Sequence, residues 1–166
     1  MKKLKNAILV STLSILAACS NSGNPFGGNS NDKFLGNNMG DVSNPTSPAY
    51  FQQAIGDRVF FAIDQSSLSP EGMDLLNSQA TWLMTNGDYE IIVEGHADEQ
   101  GTRDYNVALG ARRANSVKEY LNSLGVAASR IQTVSYGKER PIEICSKESC
   151  YSVNRRAVTV LSNLGS

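Results

Sequence analysis

Histidine is nearly missing from this sequence: His96 is the only one in 166 residues. That excludes a metal centre built on several imidazoles. Any metal site would have to gather Glu94, Asp98 or Glu99 around a single ring. Cysteine is scarce too, at three. Cys145 and Cys150 form a Cys-x4-Cys pair with no further Cys or His beside them, which is half of a structural zinc shell. The pair therefore reads as a disulfide in an exported compartment, or as two free thiols. A disulfide there would close a small loop and stabilise by about 2 kcal/mol. Charge of one sign is lacking as well: the formal net charge is −1. It falls to about −4 if Lys2, Lys3 and Lys5 leave with an N-terminal leader. Such a weakly acidic chain has no electrostatic reason to seek nucleic acid or an anionic membrane surface. The apolar stretch Ala7–Leu16 is about half as long as a helix that crosses a hydrocarbon core, so it is not a transmembrane span.

What that stretch does resemble is a leader. Lysines at 2, 3 and 5, a short apolar middle and the small residues Ala17-Ala18 make a secretory signal peptide over residues 1–18. Cys19 directly after Leu16-Ala17-Ala18 resembles the lipobox of bacterial lipoproteins. That resemblance implies cleavage before Cys19, a diacylglyceryl thioether on its sulfur and an acyl chain such as palmitate on its new amino group. Two or more chains hold a protein to a membrane stably, where one holds it marginally. The plainer alternative is an ordinary signal peptide with a chance cysteine near its end. Ser20 stands where an Asp would resemble an inner-membrane retention signal, which favours the outer membrane.

Residues 19–48 are dominated by Asn, Gly, Ser and Pro, with only Phe26, Phe34, Leu35, Met39 and Val42 as larger apolar side chains. Such a segment buries too little to offset its ordering entropy, so it is expected to be a flexible tether. Its typical reach is about 30 Å and its fully stretched length roughly 95 Å. The folded unit is expected over residues 49–166. A brief helix covers Ala49–Ile55 with Gly56 as its stop. Arg58–Ile63 is β-branched and aromatic enough for a strand. Ser69-Pro70-Glu71 opens a helix, and Met73, Leu76, Ala80 and Leu83 recur at helical spacing. Tyr89–Glu94 is a second strand, Tyr105–Leu124 a second long helix capped by Gly125, and Ile131–Tyr136 and Arg155–Leu161 the last strands. This order implies an α+β fold: a two-layer sandwich of a small mixed four-stranded sheet with helices on one face.

Chemistry-bearing residues are densest at the end of the second strand, in Glu94-Gly95-His96-Ala97-Asp98-Glu99-Gln100-Gly101-Thr102-Arg103. Glu94, Asp98 and Glu99 could supply the carboxylate pair of a glycoside hydrolase, but nothing apolar marks one of them for protonation. No Ser or Cys nucleophile sits in an elbow beside His96. Gly95, Gly101 and Gly110 match no phosphate-loop spacing. Recognition of a zwitterion fits better. Asn106, Leu109 and Arg113 share a helix face, and a loop folded back over it brings Asp98 towards Arg113. Such a pair can take a ligand ammonium and a ligand carboxylate through charge-assisted bonds. An internal Asp98–Arg113 salt bridge with no ligand is equally open from residue types alone.

The strings Gly95-His96-Ala97-Asp98-Glu99, Tyr105-Asn106, Leu109-Gly110, Arg112-Arg113-Ala114, Ser135-Tyr136-Gly137-Lys138-Glu139-Arg140-Pro141 and Asn154-Arg155-Arg156 resemble the OmpA-like peptidoglycan-binding domain. The wording around His96 and Tyr136, with the lipobox, is similar to the lipoproteins of that family. The resemblance implies a reversible, non-enzymatic clamp without a cofactor, gripping the diaminopimelate of the wall peptide. Asp98 would take the ammonium and Arg113 the carboxylate. Asn106 and Leu109 would support the pocket, Asp64 would line its rim, and Arg156 would stand near it. TolB and other Tol-system proteins are the partners implied beside peptidoglycan, with a part in outer-membrane constriction at division. The alternatives are a wall-binding lipoprotein outside the Tol system, or a wall hydrolase. The Cys145–Cys150 segment departs from the commonest pattern of the family and leaves the shape of that loop open.

Overall fold

The computed structural model describes residues 40–163. The leader, Cys19 and residues 20–39 of the tether lie outside the described residues, as do residues 164–166. The folded part opens with α1 (Pro48–Tyr50), capped by Ser47 and continued by a wider turn over Phe51–Gly56. Strand β1 (Arg58–Phe60) leads to α2 (Pro70–Thr85). Ser69 Oγ accepts the Gly72 amide at 3.1 Å and Pro70 starts the helix, the two devices that spare orphan N–H groups at a helix start. Strand β2 (Tyr89–His96) passes to α3 (Arg103–Ser123), then β3 (Ile131–Gly137), α4 (Glu148–Asn154) and β4 (Arg156–Asn163).

The strands lie in the order β1-β4-β2-β3, with β2 and β3 parallel and β4 antiparallel to both β1 and β2. Alternation sorts the side chains. Val59, Ala157, Ile91, Val93 and Ile131 point to the helical face and join Leu76, Leu83, Val117 and Leu121 in one buried core. The expected α+β fold with helices on one face is therefore the fold observed. Helix α3 lies directly on β2. A methyl at Gly95 would stand 1.9 Å from the Gly110 carbonyl oxygen, and one at Gly110 would stand 2.4 Å from Ser135 Oγ. Two glycines thus set the distance between the strand that leads into the site and the helix that lines it.

Several boundaries differ from the expected ones, each for a local reason. Strand β1 stops at Phe60 rather than Ile63, because its partner β4 begins at Arg156 and the pairing ends with the Phe61 amide on the Arg155 carbonyl. Helix α3 starts at Arg103 rather than Tyr105, since Thr102 Oγ1 accepts the Tyr105 amide. Helix α4 was expected as loop; it is short, lacks an apolar stripe and has no side-chain cap at Lys147. The segment 41–47, counted with the tether from its composition, is held on the folded body. Trp82 Nε1 donates to the Pro45 carbonyl at 2.6 Å and Tyr89 OH to the Thr46 carbonyl at 3.2 Å. Cys145 and Cys150 form a disulfide.

Candidate functional site

A cleft of about 290 Å³ opens at the carboxyl end of β2. The register of β2 on β3 slips between Gly95 and His96, and the chain leaves the sheet there into a polar loop before α3. Asp98, Gln100 and Gly101 of that loop form one wall, and Tyr105, Asn106, Leu109 and Arg113 of α3 form the floor. The chain beyond β1 supplies the rim, Ile63 and Asp64. Asp64 takes a left-handed φ of 59°, a conformation that Asp tolerates better than most residues. Its carboxylate accepts the Tyr105 hydroxyl, tying rim to floor. Asn106 is buried and donates to the Gln100 carbonyl at 2.7 Å, which fixes the loop over the helix.

Arg113 is fully buried. Its guanidinium donates through Nε to the Gln65 carbonyl at 2.8 Å, through Nη1 to the His96 carbonyl at 2.8 Å and through Nη2 to the Ala62 carbonyl at 3.2 Å. A guanidinium carries five N–H groups, so each terminal nitrogen keeps one that these three bonds do not use. Burial presses its pKa down to about 10, with Asp98 acting the other way. It stays charged at neutral pH, and it takes part in no salt bridge among the described residues.

The internal Asp98–Arg113 bridge is thus not formed. Asp98 Oδ2 instead accepts from Arg155 Nη1 at 3.1 Å, and its Oδ1 accepts the Gln100 amide at 3.1 Å. Each oxygen keeps a further lone pair. Arg155 is itself buried; it donates through Nε to the Phe61 carbonyl and through its terminal nitrogens to the Glu148 carboxylate. A buried acid and a buried base therefore face one cleft, each immobilised by other groups and neither consumed by the other. Small molecules that carry both an ammonium and a carboxylate match this arrangement.

The remaining acids diverge. Glu99 Oε1 accepts from Ser146 Oγ at 3.1 Å and from Tyr151 OH at 2.9 Å. Glu94 faces the other side of the sheet, where its carboxylate lies 3.6 Å from His96 Nε2. His96 is buried with neither ring nitrogen hydrogen-bonded. Burial pushes its pKa down to about 4, helped by the positive charges of Arg156, Arg140 and Arg58. No group of three His, Cys, Asp or Glu side chains that could hold a metal ion occurs among the described residues.

Comparison with known proteins fits this geometry. The OmpA family matches residues 60–155. A peptidoglycan-associated lipoprotein of Mesorhizobium japonicum is 46% identical over 164 residues, which cover 98% of this chain and 95% of the relative. One from Pasteurella multocida is 38% identical and covers 95% of this chain and 98% of its own. The chain belongs to the peptidoglycan-associated lipoproteins of the OmpA family. Among solved structures, the peptidoglycan-associated lipoprotein of Burkholderia pseudomallei superposes with a TM-score of 0.65 at 34% identity, over 73% of this chain and 98% of that one. The C-terminal domain of Helicobacter pylori MotB shares the fold alone, with a TM-score of 0.60 at 22% identity.

Of the residues that the sequence of this peptidoglycan-associated lipoprotein marks, Asp64, Asp98, Asn106, Leu109 and Arg113 line one cleft. Arg156, expected near the pocket, does not line it. It pairs across from Phe60 on the opposite face of the sheet and donates to the Arg140 carbonyl at 3.2 Å. The arginine that reaches the cleft's acid is its neighbour Arg155, which the sequence expectation missed. Strand alternation carries the signal: Arg155 shares the parity of Ala157, which faces the helices, whereas Arg156 does not. Gln100 and Tyr105 were missed as well, since both act through loop closure rather than through a motif of charges.

Proposed function

We propose that this chain is an outer-membrane lipoprotein, anchored through Cys19, whose periplasmic domain binds peptidoglycan without a covalent bond and without catalysis. The cleft takes the free end of a diaminopimelate residue, with its ammonium at Asp98 and its carboxylate at the two unused N–H groups of Arg113. The observation that carries this reading is the buried, separately braced Asp98 and Arg113 on one cleft of about 290 Å³. Preformed donors and acceptors of this kind cost little to reorganise when a ligand arrives. Family membership supports the same reading, since its relatives bear the name peptidoglycan-associated lipoprotein. Each clamp can be weak, because many copies anchored on one membrane act multivalently.

TolB of the Tol system is the proposed protein partner, linking the clamp to envelope constriction at cell division. Competition between TolB and wall fragments for the domain is expected, and simultaneous capture of both in a pull-down would refute it. The central test is cosedimentation with purified sacculi, with free diaminopimelate as competitor. Asp98→Asn keeps the shape and removes the charge, and it should weaken diaminopimelate binding about 10- to 100-fold, the range of a charge-assisted hydrogen bond. Sedimentation unchanged in that variant would overturn the clamp. Release of soluble muropeptides by the purified protein would overturn the non-catalytic reading.

A further inference from the structure

The disulfide Cys145–Cys150 is not part of the cleft wall, yet the loop it closes is tied to the cleft's acid and to the residue after it. Ser146 and Glu148 stand between the two cysteines. Ser146 and, one residue past the bridge, Tyr151 donate to the Glu99 carboxylate. Glu148 binds both terminal nitrogens of Arg155, and the same Nη1 of Arg155 binds Asp98. The hydrogen bond from Arg155 holds the Glu148 carboxyl below the usual carboxylate range, so Glu148 is anionic. Arg155 therefore divides one positive charge between two carboxylates. Because Glu148 draws on the same guanidinium, Arg155 offsets less of the negative field that Asp98 offers an incoming cation. Without Glu148, that cation competes with a whole guanidinium for Asp98.

We propose that the Cys145–Cys150 bridge and Glu148 are positioning elements for the ammonium half of the clamp, acting through Arg155 on Asp98. This rests on the reading of the cleft as a zwitterion clamp. The bridge holds Glu148 against Arg155, and Glu148 sets how firmly Asp98 grips an ammonium. The carboxylate half, at Arg113, shares no hydrogen bond with this route: its guanidinium donates to the Gln65, His96 and Ala62 carbonyls.

The mature full chain in detergent is titrated calorimetrically with diaminopimelate and with pimelate, the same dicarboxylate without amino groups. The wild type is expected to prefer diaminopimelate. Glu148→Gln, isosteric and exposed, should weaken diaminopimelate binding about 3- to 10-fold without weakening pimelate binding. Cys145→Ser with Cys150→Ser should act in the same direction. Combining all three changes should cost no more than the larger single effect, because both act on one route. Unchanged diaminopimelate binding in Glu148→Gln overturns the proposal. So does equal loss of both ligands, which marks a merely structural role. A wild type that binds neither ligand overturns the clamp itself, a result separable from the first two.

Discussion

Arg113 carries its charge into the interior and meets three carbonyl oxygens there rather than a carboxylate. Those bonds fix the fork in one plane, which a point charge cannot reproduce. Arg113→Lys is therefore expected to lose about 3 kcal/mol of stability, from at least one charged hydrogen bond and its unsatisfied partners, measured by urea unfolding. His96 makes the second prediction at this scale. Its pKa is pushed down to about 4 in the fold, against about 6.5 in the unfolded chain. The unfolded chain thus binds more protons between those values, and stability rises with pH across that window. His96 contributes its full stabilisation above pH 6.5 and loses about 3 kcal/mol as pH falls to about 4. Urea midpoints of the wild type and of His96→Gln at pH 5 and pH 7 check this: the variant should show the flatter dependence. Asp98, Asn106, Leu109 and Arg113 were legible because loop and helix spacing puts them together. Arg155 was hidden behind Arg156, because two adjacent arginines look alike until the strand's parity is known.

At the scale of elements, the contact between β2 and α3 governs the site, since it positions both Asp98 and Arg113. Gly95→Ala drives a methyl into the Gly110 carbonyl, and no flexible side chain is there to yield. The expected loss is about 3 kcal/mol, the upper end of the overpacking range, seen as a fall in Tm together with weaker wall binding. Long elements with strong patterns were readable: Ser69-Pro70 opens α2, and Gly125, at a φ of +103°, closes α3. So was the brief helical stretch ending at Gly56, whereas α4 and the end of β1 were not. Helix α4 has seven residues, and its bond from Tyr151 to Glu99 is a long-range contact that no local pattern announces. Strand β1 ends where its partner does, and β4 comes nearly one hundred residues later. Pairing of that separation fixes a boundary only once the whole sheet is assembled.

For the molecule as a whole, the fold class followed from the alternation of strands and helices, whereas the start of the folded body did not. Composition alone assigns residues 41–47 to the tether, but the indole of Trp82 and the hydroxyl of Tyr89 hold their carbonyls. Trp82→Phe keeps most of the buried ring and removes one donor. It should cost about 1 kcal/mol and speed amide exchange over residues 41–47 before the core is affected, which exchange mass spectrometry can resolve. Those straps sit where β2 begins, and the cleft sits where β2 ends. Eight residues of strand separate the two by about 25 Å. If lipid pulls at one end and wall at the other, tension runs lengthwise along β2. Hydrogen bonds to β3 on one side and β4 on the other lie across that pull and share it in shear, so no single bond bears the load alone. Strand β2 is then a tie rod between two layers of the envelope.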